Sequence, residues 1–163
     1  NGAISSHCAS VSNSVRDTHR AFQRPAQTFG RHALGAITAT EVFLDQLKAA
    51  PYADIVNISS VAGRTARAGN GGYAATKWAI NGWSESLRLE LLPQTRVTVI
   101  EPGAVATELP QHITHAGTKD AVTAAYDQVQ VTAKDIAEVI AFAVTRPQHF
   151  VLNEILMRPA TQA

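Results

Sequence analysis

The chain has 163 residues, of which 45% are hydrophobic and 17% are charged, and its formal net charge is +1. This length and composition allow one globular domain with a buried core. The balanced charge, without a basic run, argues against nucleic acid as a partner, and no apolar stretch is long enough to span a membrane. The single cysteine, Cys8, cannot form an internal disulfide, which is typical of a reducing compartment. We therefore expect a cytoplasmic protein that binds neither nucleic acid nor membranes.

Residues 1–31 differ in composition from the rest of the chain. Ser, His and Arg are frequent there, Lys is absent, Asp17 is the only acidic residue, and no apolar periodicity persists. We interpret this segment as an irregular leader that precedes the folded portion at residues 32–163.

From residue 32 onward, helical and strand patterns alternate. Three helices are predicted, at residues 34–49, 73–92 and 132–146. Three strands are predicted, at residues 53–59, 97–100 and 151–159. The second helix is expected to bury Ala79, Trp83, Leu87 and Leu91, and Met157 is expected in the core. This alternation predicts an α/β fold with a parallel sheet.

Tyr73 and Lys77 are the residues that point most clearly to chemistry. They lie four residues apart on a predicted helix, so they share one face. A phenol titrates at about 10 in water, and an ammonium group beside it favours the phenolate and brings it into range for acid–base work. Ser60, in the loop that follows the first strand, places a hydroxyl where it can bond a substrate oxygen. A Tyr/Lys pair at this spacing is common, and taken alone it is more often structural than catalytic.

The pair does not stand alone. Ser60 precedes Tyr73 by thirteen residues, and Pro102-Gly103-Ala104-Val105-Ala106-Thr107 follows the second predicted strand. A serine, then Tyr-x-x-x-Lys, then Pro-Gly and a threonine in this order resemble the short-chain dehydrogenase/reductase family. The resemblance extends from about residue 34 to the C-terminus and implies that residues 32–163 are the catalytic portion of a Rossmann domain.

By this resemblance, the protein is expected to be an NAD(P)-dependent oxidoreductase that interconverts an alcohol and a carbonyl on a small molecule. Tyr73 would be the general acid/base, Lys77 would lower the pKa of the phenol and hold the nicotinamide ribose, and Ser60 would orient the carbonyl. Pro102, Gly103, Val105 and Thr107 would line the nicotinamide. These roles agree with what hydride transfer requires, namely a proton source, an oxygen-binding donor and a fixed cofactor ring.

A narrower resemblance favours NADP over NAD. The C-terminal half looks like the clavulanic acid dehydrogenase type and related NADP-dependent hydroxyacid dehydrogenases. The residues that carry this likeness are Arg64, Glu108-Leu109, His112-Ile113-Thr114-His115, Asp135-Ile136-Ala137-Glu138, Asn153-Glu154-Ile155 and Arg158-Pro159.

His112 and His115 have no third ligand at motif spacing, so no metal site is predicted.

Two features depart from the family. Members begin with a βαβ unit whose Gly-rich turn receives the pyrophosphate, and this unit is missing here, so the expected fold is the C-terminal half of a doubly wound, Rossmann-like parallel sheet. The family's Asn-x-x-Gly is replaced by His32-Ala33-Leu34-Gly35. Loss of one adenine from codons for Asp-Val-Asn-Ala would yield Gly30-Arg31-His32-Ala33. Residues 1–31 are therefore either a genuine leader or an out-of-frame product.

Two alternatives to an independent enzyme remain open. The chain could be an inactive remnant that keeps the active-site signature but cannot bind cofactor alone. It could also act as a subunit, since the resemblance implies a homo-oligomer that forms through the helices at residues 34–49 and 73–92.

Overall fold

The computed structural model describes residues 29–106 and 130–162. Its centre is a three-stranded sheet of β1 (Ala53–Ile58), β2 (Thr95–Pro102) and β3 (Glu154–Met157) in the order β1-β2-β3. Both strand pairs are parallel. The predicted α/β fold with a parallel sheet is confirmed.

Among the described residues, three α-helices accompany the sheet: α1 (Gly35–Ala49), α2 (Gly71–Leu91) and α3 (Ala133–Val144). Helix α1 ends at Ala49, and the next residue, Ala50, is extended because it precedes Pro51 and the residue before a proline is disfavoured in a helix. Helix α3 begins with a capping box, in which the Thr132 hydroxyl accepts from the Asp135 backbone N–H and the Asp135 carboxylate accepts from the Thr132 N–H. These local signals explain why the predicted helices form where they do.

The strand register places two loops at one edge of the sheet. Ala53 to Ile58 pair with Thr95 to Ile100, and Val99 to Pro102 pair with Glu154 to Met157. Because parallel strands end on the same side, the segment that follows β1 and the turn that follows β2 leave the sheet together. In open α/β sheets this edge is where ligands bind.

The core lies between α2 and the sheet. Leu87, Leu91 and Val97 form its buried cluster, and the partly buried side chains of Leu44, Ile55 and Trp83 pack against it. The buried stripe of α2 differs from the predicted one, since Ile80 and Ser84 are buried whereas Ala79 is only half-buried. Ser84 can take this inner position because its hydroxyl donates to the Ile80 carbonyl and accepts from Asn57 in β1.

Several element boundaries also differ from the prediction. Strand β2 is longer at both ends, β3 is shorter, and α2 begins two residues early, at Gly71, because Gly71 and Gly72 join its first turn. Met157 is half-buried rather than fully in the core, since β3 is an edge strand in the described sheet.

A π-helical turn, Gly30–Leu34, leads into α1 and contains His32. This turn spans the predicted boundary between residues 31 and 32. None of the helices in the described residues is long and apolar enough to cross a membrane.

Candidate active site

Ser60 stands at the carboxyl end of β1. It caps a short 3-10 turn, Val61–Gly63, and its hydroxyl accepts from the Ala62 N–H at 3.1 Å. The same hydroxyl donates to the Pro102 carbonyl at 3.4 Å, so it joins the ends of β1 and β2. The bond to Pro102 is long enough to be exchanged for a bond to a substrate oxygen.

Tyr73 and Lys77 lie in the first turns of α2 and face each other, as their spacing predicted. The Lys77 Nζ is 5.7 Å from the centre of the Tyr73 ring. This distance lies within the range of a cation–π contact, in which an ammonium group is attracted to the ring face. Tyr73 is half-buried, which leaves part of its ring open to solvent.

Lys77 is almost completely buried, with 5% of its surface exposed. Its Nζ donates to the Ile58 carbonyl at 2.9 Å, at the last residue of β1. Burial lowers the pKa of Lys77 from its usual 10.5 to about 8, because the ammonium form is poorly solvated. An ammonium group has three donors, and within residues 29–106 and 130–162 the Lys77 Nζ uses one of them.

Side-chain bonds hold α2 against the end of β1. The Ser59 hydroxyl donates to the Lys77 carbonyl at 3.3 Å, and the Asn57 amide donates to the Ser84 hydroxyl at 2.9 Å. These contacts fix the rotation of α2 about its axis, and thereby the direction in which Lys77 points. Neither Ser59 nor Asn57 was predicted to take part in the site.

The turn after β2 is held from two sides. The Gly103 N–H donates to the Met157 carbonyl at 2.7 Å, and the Ala104 N–H donates to the Gln162 side-chain carbonyl at 2.8 Å. A Cβ atom at Gly103 would displace the end of the Gln162 side chain and would press against the Arg158 backbone. Gln162 was not predicted as a site residue, because no local sequence pattern marks it.

The remaining predicted residues divide into two groups. Val105 is half-buried and follows the same turn, whereas Thr107 lies outside the described residues, as do His112 and His115. His32 lies close enough to the site for its pKa to be lowered, first by burial and then by the positive charges of Lys77 and Arg31. The described residues contain no group of three or more potential metal ligands.

The donor set suits the nicotinamide and ribose part of a dinucleotide. Beyond its bond to Ile58, and within the part of the chain that the structure describes, Lys77 has two further N–H donors that ribose hydroxyls can accept. The half-buried Tyr73 ring lies beside them. The turn from Pro102 to Val105 leaves the sheet at the same edge as the Ser60 loop. The residues present therefore fit this part of the cofactor.

Comparison with known proteins agrees with this geometry. The short chain dehydrogenase family matches residues 6–118, more than half of the chain. The chain belongs to the short-chain dehydrogenase family. The matched region contains the serine, the tyrosine and the lysine that suggested the family, together with the turn that follows β2.

Curated family members are similar over most of this chain. An uncharacterised oxidoreductase of Listeria innocua is 35% identical over 131 residues, which are 78% of this chain and 53% of that protein. An NADP-dependent 3-hydroxy acid dehydrogenase of Schizosaccharomyces pombe is 32% identical over 132 residues, covering 80% of this chain and 51% of that protein. The chain thus spans about half the length of the curated relatives it matches.

Solved structures of the family share the fold. The closed form of serine dehydrogenase complexed with NADP+ matches with a TM-score of 0.71 and 32% identity, over 79% of this chain and 53% of that one. The three-stranded sheet is therefore Rossmann-like and corresponds to part of a short-chain dehydrogenase fold.

Proposed function

We propose that this protein is an NAD(P)-dependent oxidoreductase that interconverts an alcohol and a carbonyl on a small molecule. The observation that carries the proposal is the contact between Lys77 and the Tyr73 ring, beside the loop that presents Ser60. This arrangement combines a phenol, a cation and a hydroxyl donor at the ligand-binding edge of a parallel sheet.

Each side chain has a distinct task in the proposed reaction. In the direction of reduction, Tyr73 gives its phenolic proton to the substrate oxygen, and in oxidation it takes that proton back. Lys77 stabilises the phenolate that remains, since an adjacent positive charge favours the ionised form. Ser60 orients the substrate oxygen by donating to it in place of the Pro102 carbonyl.

For the cofactor we propose NADP, with NAD as the alternative. Two similar proteins are named as NADP-dependent or were solved with NADP+. Tyr73 and Lys77 would hold the nicotinamide ribose, and Pro102, Gly103, Val105 and Thr107 would line the ring. When bound, this cofactor supplies or accepts the hydride.

The test is a comparison of Tyr73→Phe with the wild type, both as the 163-residue chain. NADPH binding is measured by fluorescence titration with NADH alongside, and turnover is measured with serine and with 3-hydroxy acids, the substrates that the relatives' names suggest. Removing the acid–base group should lower kcat about 10²-fold or more while cofactor binding persists. Tyr52→Phe is the matched control, because Tyr52 is exposed and lies before β1. Equal turnover in Tyr73→Phe and wild type would show that the proposed acid/base is wrong.

We also propose that the protein forms a homo-oligomer through α1 and α2. Helix α1 buries none of its residues and exposes Val42 and Phe43, while α2 exposes Trp78 and Leu89. Large apolar side chains exposed on neighbouring helices are typical of interfaces between copies of one chain. Light scattering of wild type and Phe43→Glu tests this proposal, since a mass of one chain in both would exclude it.

Other predictions from the sequence keep the status of proposals. The irregular leader, the cytoplasmic location and membership of the clavulanic acid dehydrogenase group are among them. The inactive remnant is not favoured, because similar proteins along most of the chain carry the names of oxidoreductases.

A further inference from the structure

A buried carboxylate lies directly behind the proposed active site. Glu101, the residue before Pro102 in β2, has a completely buried side chain. Its Oε1 accepts from the Arg64 Nε at 2.7 Å and from the Asn81 amide at 2.6 Å. One oxygen therefore joins β2 to helix α2 and to the segment that follows Ser60.

The Arg64 guanidinium extends this link to β3. Its Nη2 forms a second ion pair, with the Glu154 Oε2, while its Nε remains on Glu101. The hydrogen bonds to Glu101 and Glu154 raise the pKa of Arg64 above its usual value. Because two carboxylates already compensate its charge, Arg64 is poorly suited to bind an anionic substrate directly.

Asn81 holds the same segment from the side of α2. Its amide donates to the Gly63 carbonyl at 3.2 Å as well as to Glu101. A Cβ atom at Gly63 would lie 2.8 Å from the Asn81 Nδ2 and 2.8 Å from the Ser59 Oγ, so a larger residue there would displace these two side chains. The 3-10 turn after Ser60 is therefore fixed at Gly63 and at Arg64.

Stability alone does not explain this cluster of Glu101, Arg64, Asn81 and Glu154. Taking a charged group out of water carries a desolvation penalty that an ion pair only partly offsets. Among the described residues, the Glu101 Oε2 and the Asn81 Oδ1 have no hydrogen-bond partner, which adds to the penalty. The cluster instead fixes positions. Glu101 is next to Pro102, whose carbonyl accepts the hydrogen bond from the Ser60 hydroxyl.

We propose that Arg64 is a positioning residue. Its ion pairs with Glu101 and Glu154 hold the Ser60 loop against the turn that follows β2. The proposal rests on the proposed function for its catalytic meaning, but the placement of the loop can be measured without turnover. Losing the guanidinium leaves the 3-10 turn held by Asn81 alone, so Ser60 samples positions away from Pro102 and orients the substrate oxygen less often.

The experiment compares amide hydrogen exchange in residues 60–66 between wild type and Arg64→Met, both as the 163-residue chain. The exchange rate there should rise about tenfold or more, the effect expected for losing a hydrogen bond to a charged group. Glu154→Gln is a second variant, which removes the ion pair between Arg64 and the half-exposed Glu154. It leaves the ion pair between Arg64 and the buried Glu101 in place. It should raise exchange in the same segment by a smaller factor.

Arg96→Met is the matched control. Arg96 forms an ion pair with Asp54 at 2.8 Å, near the opposite end of the same strands, and donates to the Val144 carbonyl. Its loss should lower global stability without a selective change at residues 60–66. Unchanged exchange in both Arg64→Met and Glu154→Gln, or an equal rise in Arg96→Met, would overturn the proposal.

Kinetics supply the catalytic part of the test. Where the wild type turns over, Arg64→Met should lower kcat while the Kd of NADPH stays close to its original value. A wild-type chain without turnover would contradict the proposed function, whereas the exchange data would still decide whether Arg64 positions the loop. A kcat that stays at the wild-type value despite faster exchange would overturn the catalytic role of this positioning.

Discussion

Lys77→Met is expected to make the protein more stable at neutral pH while removing a residue of the proposed site. Lys77 is 5% exposed, and burial lowers its pKa from 10.5 to about 8. This difference corresponds to about 3 kcal/mol of folding free energy, which the protein loses by burying an ammonium group. Methionine has a similar shape and carries no charge, so the penalty disappears.

One favourable interaction disappears as well. The Lys77 Nζ donates to the Ile58 carbonyl at 2.9 Å, and the variant leaves that acceptor without this donor. Loss of this partly buried hydrogen bond costs about 1–2 kcal/mol. The net gain of the variant near pH 7 is therefore about 1–2 kcal/mol, the remainder after the two effects oppose each other.

The pH dependence gives a sharper signature than the value at one pH. Below pH 8 both the folded and the unfolded chain carry the charge, so the wild type bears the full penalty. Between pH 8 and 10.5 the folded state releases its proton first, the unfolded state binds more protons, and wild-type stability rises with pH. The advantage of Lys77→Met should shrink across this window and reverse at its upper end.

Urea unfolding followed by circular dichroism, at intervals from neutral pH to pH 10.5, measures this difference. Lys48→Met is the control, because Lys48 is exposed in the last turn of α1 and should give a difference that does not vary in this way. Parallel stability curves for wild type and Lys77→Met, with the variant less stable at every pH, would refute the reasoning.

Three further predictions concern single contacts. Gly63→Ala should destabilise the protein by about 1–3 kcal/mol in urea unfolding, because the new methyl group displaces the Asn81 amide, and an unchanged midpoint would contradict this. Thr132→Ala should lower stability by about 1 kcal/mol through loss of the capping box, whereas Thr132→Ser should restore most of it. Gln162→Ala removes the acceptor of the Ala104 N–H and should raise the Kd of NADPH several-fold in fluorescence titration, with equal affinities speaking against a role for this contact.

The positions of the helices could be predicted because their signals are local. Pro51 after α1 and the Thr132/Asp135 capping box before α3 act within a few residues, so those helix ends lie close to the predicted ones. The buried stripe of α2 was predicted less well. Ser84 is polar, and its type alone predicts a surface position. Its bond to the Ile80 carbonyl is local, whereas its bond to Asn57 joins residues twenty-seven positions apart, and together they make an inner position favourable.

The candidate site shows the same division. The helical spacing of Tyr73 and Lys77 determines that they face each other, and the contact between them is present. Nothing in the sequence indicates that Gln162 accepts from Ala104, or that Glu101 is completely buried beside Arg64 and Asn81. Those contacts join residues that are far apart in the chain, and a motif describes only spacing along it.

The sequence by itself determined which residue types can carry proton transfer and which segments become helices or strands, because these depend on side-chain chemistry and local backbone preference. Only the tertiary structure decided the pKa values and the positions of those groups. The pKa of Lys77 falls because packing of α2 on the end of β1 excludes water from its ammonium group. The Ser60 loop takes its place because strand register brings Glu101 and Glu154 within reach of one guanidinium. Desolvation and strand register are set by the packed chain as a whole.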